Sequence, residues 1–501
     1  MGKEIKNIII QAGGKGTRMA QLTYNKPKAL VPVDNLPMLF HLFKKFPQDR
    51  FIIIGDYKYD VLIKYLKAFA TVDYQVVDAR GKKGTCAGLD DAVGKIPNNE
   101  PFMLIWSDLI LPDDYSMPEG DDDYIGISKD FKCRWQYRNG YFKEEPSEEY
   151  GVAGHFIFRN KNVLFDVPKE GEFVRWLSDT GKQFKELPLY KTKEYGVLEE
   201  YMKRQVSKCR PFNRITVDGD KIVKEGIDEQ GKALAKRENN WYAKVKEKGF
   251  KNIPIIYKTE PLIMEMIEGR NIYEYSFTTE DKKRILSQLV NCIKDIHRLG
   301  GRPAEWDSYK EAYIGKTFAR LEMVRNLVPF AQDEFVIING KKCKNIFFLK
   351  DELEDKVMKY YPKEFRFLHG DCTFSNIMLR NNEEPVLIDP RGYFGTTELY
   401  GDPAYDWAKL YYSIVGNYDQ FNLKRFVLKI EENEVFLEIE SNHWEDMEDY
   451  FMELIKDDVN KEQMKLLHSI IYLSLTTYAW EDYDSVCGAF YKGLILLNDV
   501  F

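Results

Sequence analysis

The chain has 501 residues, of which 44% are hydrophobic, 14% aromatic and 31% charged, with a net charge of -7. That length exceeds one hydrophobic core and, at roughly 150 residues per domain, predicts about three compact units, or two large domains of which one is bilobed. The acidic balance excludes the basic stripe of a nucleic-acid binder, so any nucleotide is expected as a small molecule. The seven cysteines are scattered without a C-x-x-C pair and read as free thiols of a reducing, cytoplasmic setting. No segment approaches the roughly 20 apolar residues that span a bilayer, so no membrane partner is expected.

In chain order, short apolar runs at 7–10, 51–54, 74–77, 102–106 and 155–158 alternate with helical stretches over residues 1–203. Continuous apolar strands separated by helices predict a mostly parallel sheet covered on both faces, an α/β architecture of Rossmann-like type. A linker is placed at 204–212. After it, two alternating runs joined at Asp218-Gly219 predict a hairpin that opens a second domain, 213–501. Its first part, 213–268, reads as a small β-rich lobe, and 269–501 as a helical lobe, with periodic segments at 279–299, 313–327, 444–455 and 461–478.

The first candidate site follows the first strand, in Ile8-Ile-Ile-Gln-Ala-Gly-Gly-Lys-Gly-Thr-Arg-Met19 and Lys26-Pro-Lys-Ala-Leu-Val-Pro-Val33. Ala12, Gly13, Gly14, Gly16 and Thr17 form a turn whose backbone N–H groups can approach a triphosphate, and Arg18 and Lys28 can neutralise its charge. A glycine-rich turn alone would equally serve as a tight strand-to-helix connection. The full pattern resembles the nucleotidyltransferase superfamily that includes sugar-1-phosphate nucleotidylyltransferases and phosphocholine cytidylyltransferases, over about the first 200 residues. The resemblance implies transfer of a nucleotidyl group to a phosphorylated metabolite with release of pyrophosphate. It implies Asp108, after the apolar run Leu104-Ile-Trp-Ser, as a Mg²⁺ ligand, Gly84 and Thr85 in a loop against the base, and Glu194 as the second metal ligand. Glu194 stands where the family carries aspartate, and Gln11 where it carries an apolar residue. Glu194 thus has an alternative as a surface glutamate, and Asp108 as a turn residue.

The second candidate site is Leu368-His-Gly-Asp-Cys-Thr-Phe-Ser-Asn376, followed by Val386-Leu-Ile-Asp-Pro-Arg-Gly392. Phosphoryl transfer by kinase-like enzymes needs one carboxylate to orient and deprotonate a hydroxyl, and an Asn and a second Asp to hold Mg²⁺ on ATP. The segment 212–501 resembles the aminoglycoside phosphotransferase/choline kinase family, a bilobed, protein-kinase-like (α+β) fold. That resemblance implies Asp371 as base, Asn376 and Asp389 as Mg²⁺ ligands, His369 as a support of the loop, and Asp406 as its brace. Lys224 and Glu238 are the candidates for the lysine on the ATP phosphates and its partner, and Glu265 and Met266 for backbone contacts to adenine. Arg391 stands near where choline kinases carry Trp and an acidic residue; it either meets an anionic or hydroxyl-rich substrate or anchors Asp402.

The joint expectation is a bifunctional, Mg²⁺-dependent enzyme. It phosphorylates a sugar, polyol or amino alcohol with ATP, and joins the phosphate to a nucleotide from a second triphosphate, CTP or UTP, giving a precursor for surface glycan synthesis. The alternatives are a choline kinase/phosphocholine cytidylyltransferase, and a kinase with a non-catalytic, nucleotide-sensing N-terminal domain.

Overall fold

The computed structural model describes residues 4–204 and 213–501. It divides into two compact units, Met1–Lys208 with Glu481–Tyr483, and Cys209–Trp480 with Asp484–Phe501. The expected linker, from 205 onward, and Cys209 within it, lie outside the described residues.

In the first unit, β1 (Asn7–Gln11), β2 (Arg50–Gly55), β3 (Asp73–Asp78) and β4 (Phe102–Trp106) lie in the order β4-β1-β2-β3, every pairing parallel. Ile8, Ile9 and Ile10 are fully buried, as are Met103, Leu104 and Ile105. Helices Met38–Lys45 and Tyr59–Phe69 turn apolar stripes inward, the latter through Leu62, Tyr65 and Leu66. The chain leaves β1 for β2 on one side and returns to β4 on the other. This reversal is a topological switch point, where open α/β sheets form a crevice beyond their strand ends. The register pairs Gln11 with Trp106 and with Ile54, so the glycine-rich turn and Asp108 emerge at the same level.

Beside a short hairpin of Pro32–Val33 and Leu36–Pro37, the unit also holds β5 (Leu109–Ile110), β6 (Tyr124–Ser128), β7 (Gln136–Arg138), β8 (Tyr141–Lys143), β9 (Gly151–Phe158), β10 (Lys185–Leu189) and β11 (Lys193–Glu194). In a sheet expected to be mostly parallel, β9 runs antiparallel to β4. No helix lies between those two strands in the chain, and parallel pairing needs a crossover, usually helical.

The second unit opens with a four-stranded sheet in the order β12 (Asn213–Asp218), β13 (Lys221–Gly226), β15 (Leu262–Glu265), β14 (Ile256–Thr259). Gly219 takes φ +61° in the tight turn of the first hairpin. Helix Glu229–Glu247 follows, capped by Asp228, whose carboxylate accepts from Gly231 N at 2.7 Å. Beyond it lie the helices Thr279–Arg298, Lys316–Val324, Pro403–Ile414 and Lys461–Leu475. The expected helix at 313–327 is preceded by Trp306–Lys310 and a π-helical turn, Glu311–Gly315. The helical lobe also holds a four-stranded sheet of Phe335–Ile338, Lys341–Lys344, Phe426–Ile430 and Val435–Ile439. Its alternation is blurred in the sequence because Phe335, Ile337, Val427 and Phe436 put apolar side chains at exposed positions. No helix among the described residues is long and apolar enough to cross a membrane.

Candidate active sites

In the first unit the glycine-rich turn wraps Lys28. Ala12 N donates to Ile54 O at 2.9 Å and Lys28 N to Gly14 O at 3.4 Å. Gly16 takes φ +64°, and a side chain there would meet Lys28 Cβ at 3.1 Å. Gly14, Thr17 and Arg18 stay exposed on the lip, whereas Ala12 is buried. The Lys28 ammonium donates to Asp108 Oδ2.

Asp108 sits between β4 and β5, and β5 pairs with β11, so that Tyr195 N donates to Asp108 O at 3.1 Å. That ladder brings Glu194 up to Asp108. Burial, and then the Asp108 charge, push the Glu194 carboxyl above the usual range against the pull of Lys28 and Arg18. Asp108 Oδ1 is buried with no hydrogen-bond partner among the described residues. Two mutually repelling carboxylates, one with an orphaned oxygen, form a hard-oxygen donor set that fits Mg²⁺ completed by substrate phosphates. Among the described residues no cluster of three or more His, Cys, Asp or Glu occurs.

The loop at Gly84 has a structural requirement of its own. Gly84 takes φ +85°, and a Cβ there would lie 2.2 Å from Gly171 O. The Thr85 hydroxyl accepts from Phe173 N at 2.8 Å, at the start of helix Phe173–Asp179. Thr85 thus spends its hydroxyl oxygen on that helix start. Gln11 Nε2 donates to Thr85 O, tying the end of β1 to this loop. The unusual residue at position 11 therefore acts as a brace, a use that needs a partner distant in sequence.

In the second unit, strands Ile377–Arg380 and Glu384–Leu387 form a hairpin that places Asn376 and Asp389 at its open end. Ile388 N donates to Asn376 O at 2.9 Å, and Asn376 Nδ2 donates to Asp371 O and Oδ2, each at 3.0 Å. Asp389 takes φ +53° and meets Lys224 Nζ at 2.6 Å through Oδ1. Lys224 also pairs with Glu238 Oε2 at 2.9 Å. Burial pulls the Lys224 ammonium down, but Asp389 and Glu238 outweigh it and hold it charged. The Asp389 carboxylate remains 45% exposed. It lies beside Asn376 and Asp371, a set of oxygen donors that fits Mg²⁺ on ATP.

The catalytic loop is braced from beneath. Asp406, fully buried, accepts from His369 N at 3.0 Å and Gly370 N at 2.7 Å, and contacts His297 Nε2 at 3.2 Å. His369 Nε2 meets Ile388 O at 3.0 Å, tying the two halves of the site together. Burial pushes the Asp371 carboxyl up, yet Lys409, 3.0 Å from Oδ1, with Arg391 and His369, brings it below the usual range. Lys409 lies one helical turn beyond Asp406 on helix Pro403–Ile414, and its contact with Asp371 has no sequence signature.

Two expectations change. Glu265 N donates to Ile255 O and Met266 N to Asp220 O, both at 2.9 Å, and the Glu265 side chain pairs with Arg380 at 2.9 Å. Both amides are thus engaged within the lobe, Glu265 N from the inner strand β15 and Met266 N from the residue just beyond it. Arg391 does not anchor Asp402: its guanidinium donates to Tyr405 OH at 3.1 Å and Tyr393 OH at 2.9 Å. Asp402 instead accepts from Tyr313 OH at 2.9 Å and caps helix Pro403–Ile414.

Residues 8–116 match the MobA-like NTP transferase domain and residues 212–433 the phosphotransferase enzyme family. A UTP--glucose-1-phosphate uridylyltransferase of Haloferax volcanii is 32% identical over 107 residues, 21% of this chain and 43% of that protein. A mannose-1-phosphate guanyltransferase of Aspergillus oryzae is 27% identical over 183 residues, 33% of this chain and 45% of that protein. The chain thus spans less than half the length of these curated relatives. The solved inositol-1-phosphate CTP transferase from T. maritima is 18% identical and covers 40% of this chain and 93% of that one, with a TM-score of 0.34. On its motifs, strand order and family matches, the chain joins a nucleotidyltransferase domain of Rossmann-like fold, N-terminal, to a kinase-like domain of the phosphotransferase enzyme family, C-terminal.

Proposed function

We propose that the chain performs two consecutive transfers. In the C-terminal domain a hydroxyl of a small metabolite (a sugar, polyol or amino alcohol) attacks the γ-phosphorus of ATP. Its proton passes to Asp371, the new P–O bond forms and ADP leaves. In the N-terminal domain an oxygen of that phosphate attacks the α-phosphorus of a second triphosphate, CTP or UTP, and pyrophosphate leaves. No protein nucleophile is required; Arg18 and Lys28 balance the charge that develops on the triphosphate. Asp108 and Glu194 in one domain, and Asn376 and Asp389 in the other, would hold Mg²⁺, which would supply charge neutralisation on the phosphates. The product is a nucleotide-activated metabolite, a precursor suited to surface glycan synthesis.

The observation that carries this reading is the presence of a separate acid-and-cation set in each unit: Lys28 on Asp108 beside Glu194, and Lys224 on Asp389 beside Asp371. The sugar-1-phosphate transferases among the relatives support a phosphorylated sugar or related compound as the acceptor of the nucleotide. The test is to incubate the full chain with ATP, each nucleoside triphosphate and a panel of hydroxylated metabolites. A nucleotide conjugate formed without added metabolite phosphate is expected; conjugates that form only when the phosphate is supplied would refute the coupling.

A further inference from the structure

A cavity of about 200 Å³ in the second unit is lined by Lys316, Arg320, Arg391, Tyr393, Tyr405 and Glu311, among others. It abuts the catalytic loop. Arg391 N donates to His369 O at 2.9 Å, and a side chain at Gly370 would meet Arg391 Cβ at 2.9 Å. Asp371 is the next residue, and Lys409, on its Oδ1, stacks over the Tyr405 ring at 5.9 Å.

Among the described residues, the lining cations Lys316, Arg320 and Arg391 have no carboxylate in ion-pair contact. Arg391 donates to the neutral hydroxyls of Tyr393 and Tyr405, and Arg320 to Ser474 O at 2.6 Å and Ser474 Oγ at 3.1 Å. Lys316 lies over the Tyr405 ring at 5.5 Å. None of the three forms an ion pair among the described residues, and the single acid of the lining, Glu311, is exposed. Burial, with Arg391, Arg320 and Lys409 close by, drives the Lys316 ammonium well below its usual range. Burial would raise the Tyr393 phenol, but Arg391, Arg237 and Arg320 bring it below its ordinary value. Both directions report a local positive field in the cavity, where the Tyr393 and Tyr405 hydroxyls and Ser474 O accept from the cations without neutralising them. The π-helical turn Glu311–Gly315 displaces the helix just where Lys316 begins its last segment, and such turns are built into helices at functional sites.

We propose that this cavity is the acceptor subsite of the phosphotransferase domain. Its acceptor alcohol carries an oxyanion of its own, a carboxylate or a phosphate monoester, which Arg391, Arg320 and Lys316 bind while its hydroxyl faces Asp371. The inference rests on the kinase reading given above and narrows it: a cationic amino alcohol is rejected by the field, and a neutral polyol leaves the cations unpaired.

The test uses the full chain and the acylation of Lys316 by acetic anhydride, read by mass spectrometry, with Lys224 as an internal comparison. Inorganic phosphate should protect Lys316 at concentrations where choline and glycerol do not, and a parallel series with acetate separates phosphate from carboxylate recognition. Arg391→Gln and Arg320→Gln should each raise the phosphate needed for half-protection about 10-fold, the loss of one charge-assisted contact. Equal labelling of Lys316 with and without both anions, or equal protection by choline, would overturn the proposal. The wild-type comparison stands even where a variant fails to fold. Failure of the kinase reading is seen separately, as ADP formation that survives Asp371→Asn.

Discussion

Asp406 shows how a residue that touches no substrate governs one that does. It is buried, and accepts the amides of His369 and Gly370, the two residues before Asp371. Asp406→Ala leaves both donors buried without partners, at a cost of about 1–3 kcal/mol each. Thermal unfolding should therefore shift down, and ADP formation should fall while pyrophosphate release by the other domain persists; unchanged ADP formation would refute the brace. His369, Asp371, Asn376 and Asp389 could be named from the sequence because their spacing is fixed by the local turn and hairpin, and Asp406, on a separate helix, only through the family resemblance. Lys316, Arg320 and Lys409 could not. They reach the site only through helix packing, and isolated cations on helices ordinarily face solvent.

At the scale of elements, the loop 84–88 and the turn 12–18 differ in what their glycines do. Gly84 has a left-handed φ and the Gly171 carbonyl against it, whereas Gly14 has open space around the position of a Cβ. Gly84→Ala should displace the loop, lower the melting temperature and raise the KM for the nucleoside triphosphate. Gly14→Ala should fold as the wild type does. Equal melting temperatures for the two variants would contradict the assignment. A second elemental prediction concerns helix Pro403–Ile414, capped by Asp402, whose carboxyl burial pushes up to about 6. A native pKa above the unfolded value of about 3.9 stabilises the fold fully below that value, and the contribution is lost as pH rises through about 6. Hydrogen-exchange protection of the 403–414 amides, corrected for intrinsic exchange, should decline over that window in the wild type. It should decline less in Asp402→Asn; identical slopes would contradict the linkage. The apolar strands of the first unit were legible because each is a continuous run. The antiparallel β9 and the sheet at 335–439 were not, since strand direction and pairing between distant segments leave no local pattern.

For the whole molecule, the central claim is that two chemistries reside in separate units of one chain, each with its own carboxylates and cations. The two motif sets made this division legible, because each fixes reactive groups within a short span of sequence. The acceptor remained illegible, since the proposed contacts come from two helices and the segment 391–395, which meet only in the folded domain. The claim is tested most directly by assaying Asp108→Asn and Asp371→Asn full-length proteins side by side for ADP formation from ATP with the metabolite panel, and for pyrophosphate release from CTP or UTP with the corresponding phosphates. Asp371→Asn should lower ADP formation about 100-fold or more and leave pyrophosphate release intact. Asp108→Asn should do the reverse to a similar extent. Loss of both activities in either folded variant, or pyrophosphate release that is unaffected by Asp108→Asn, would contradict the account.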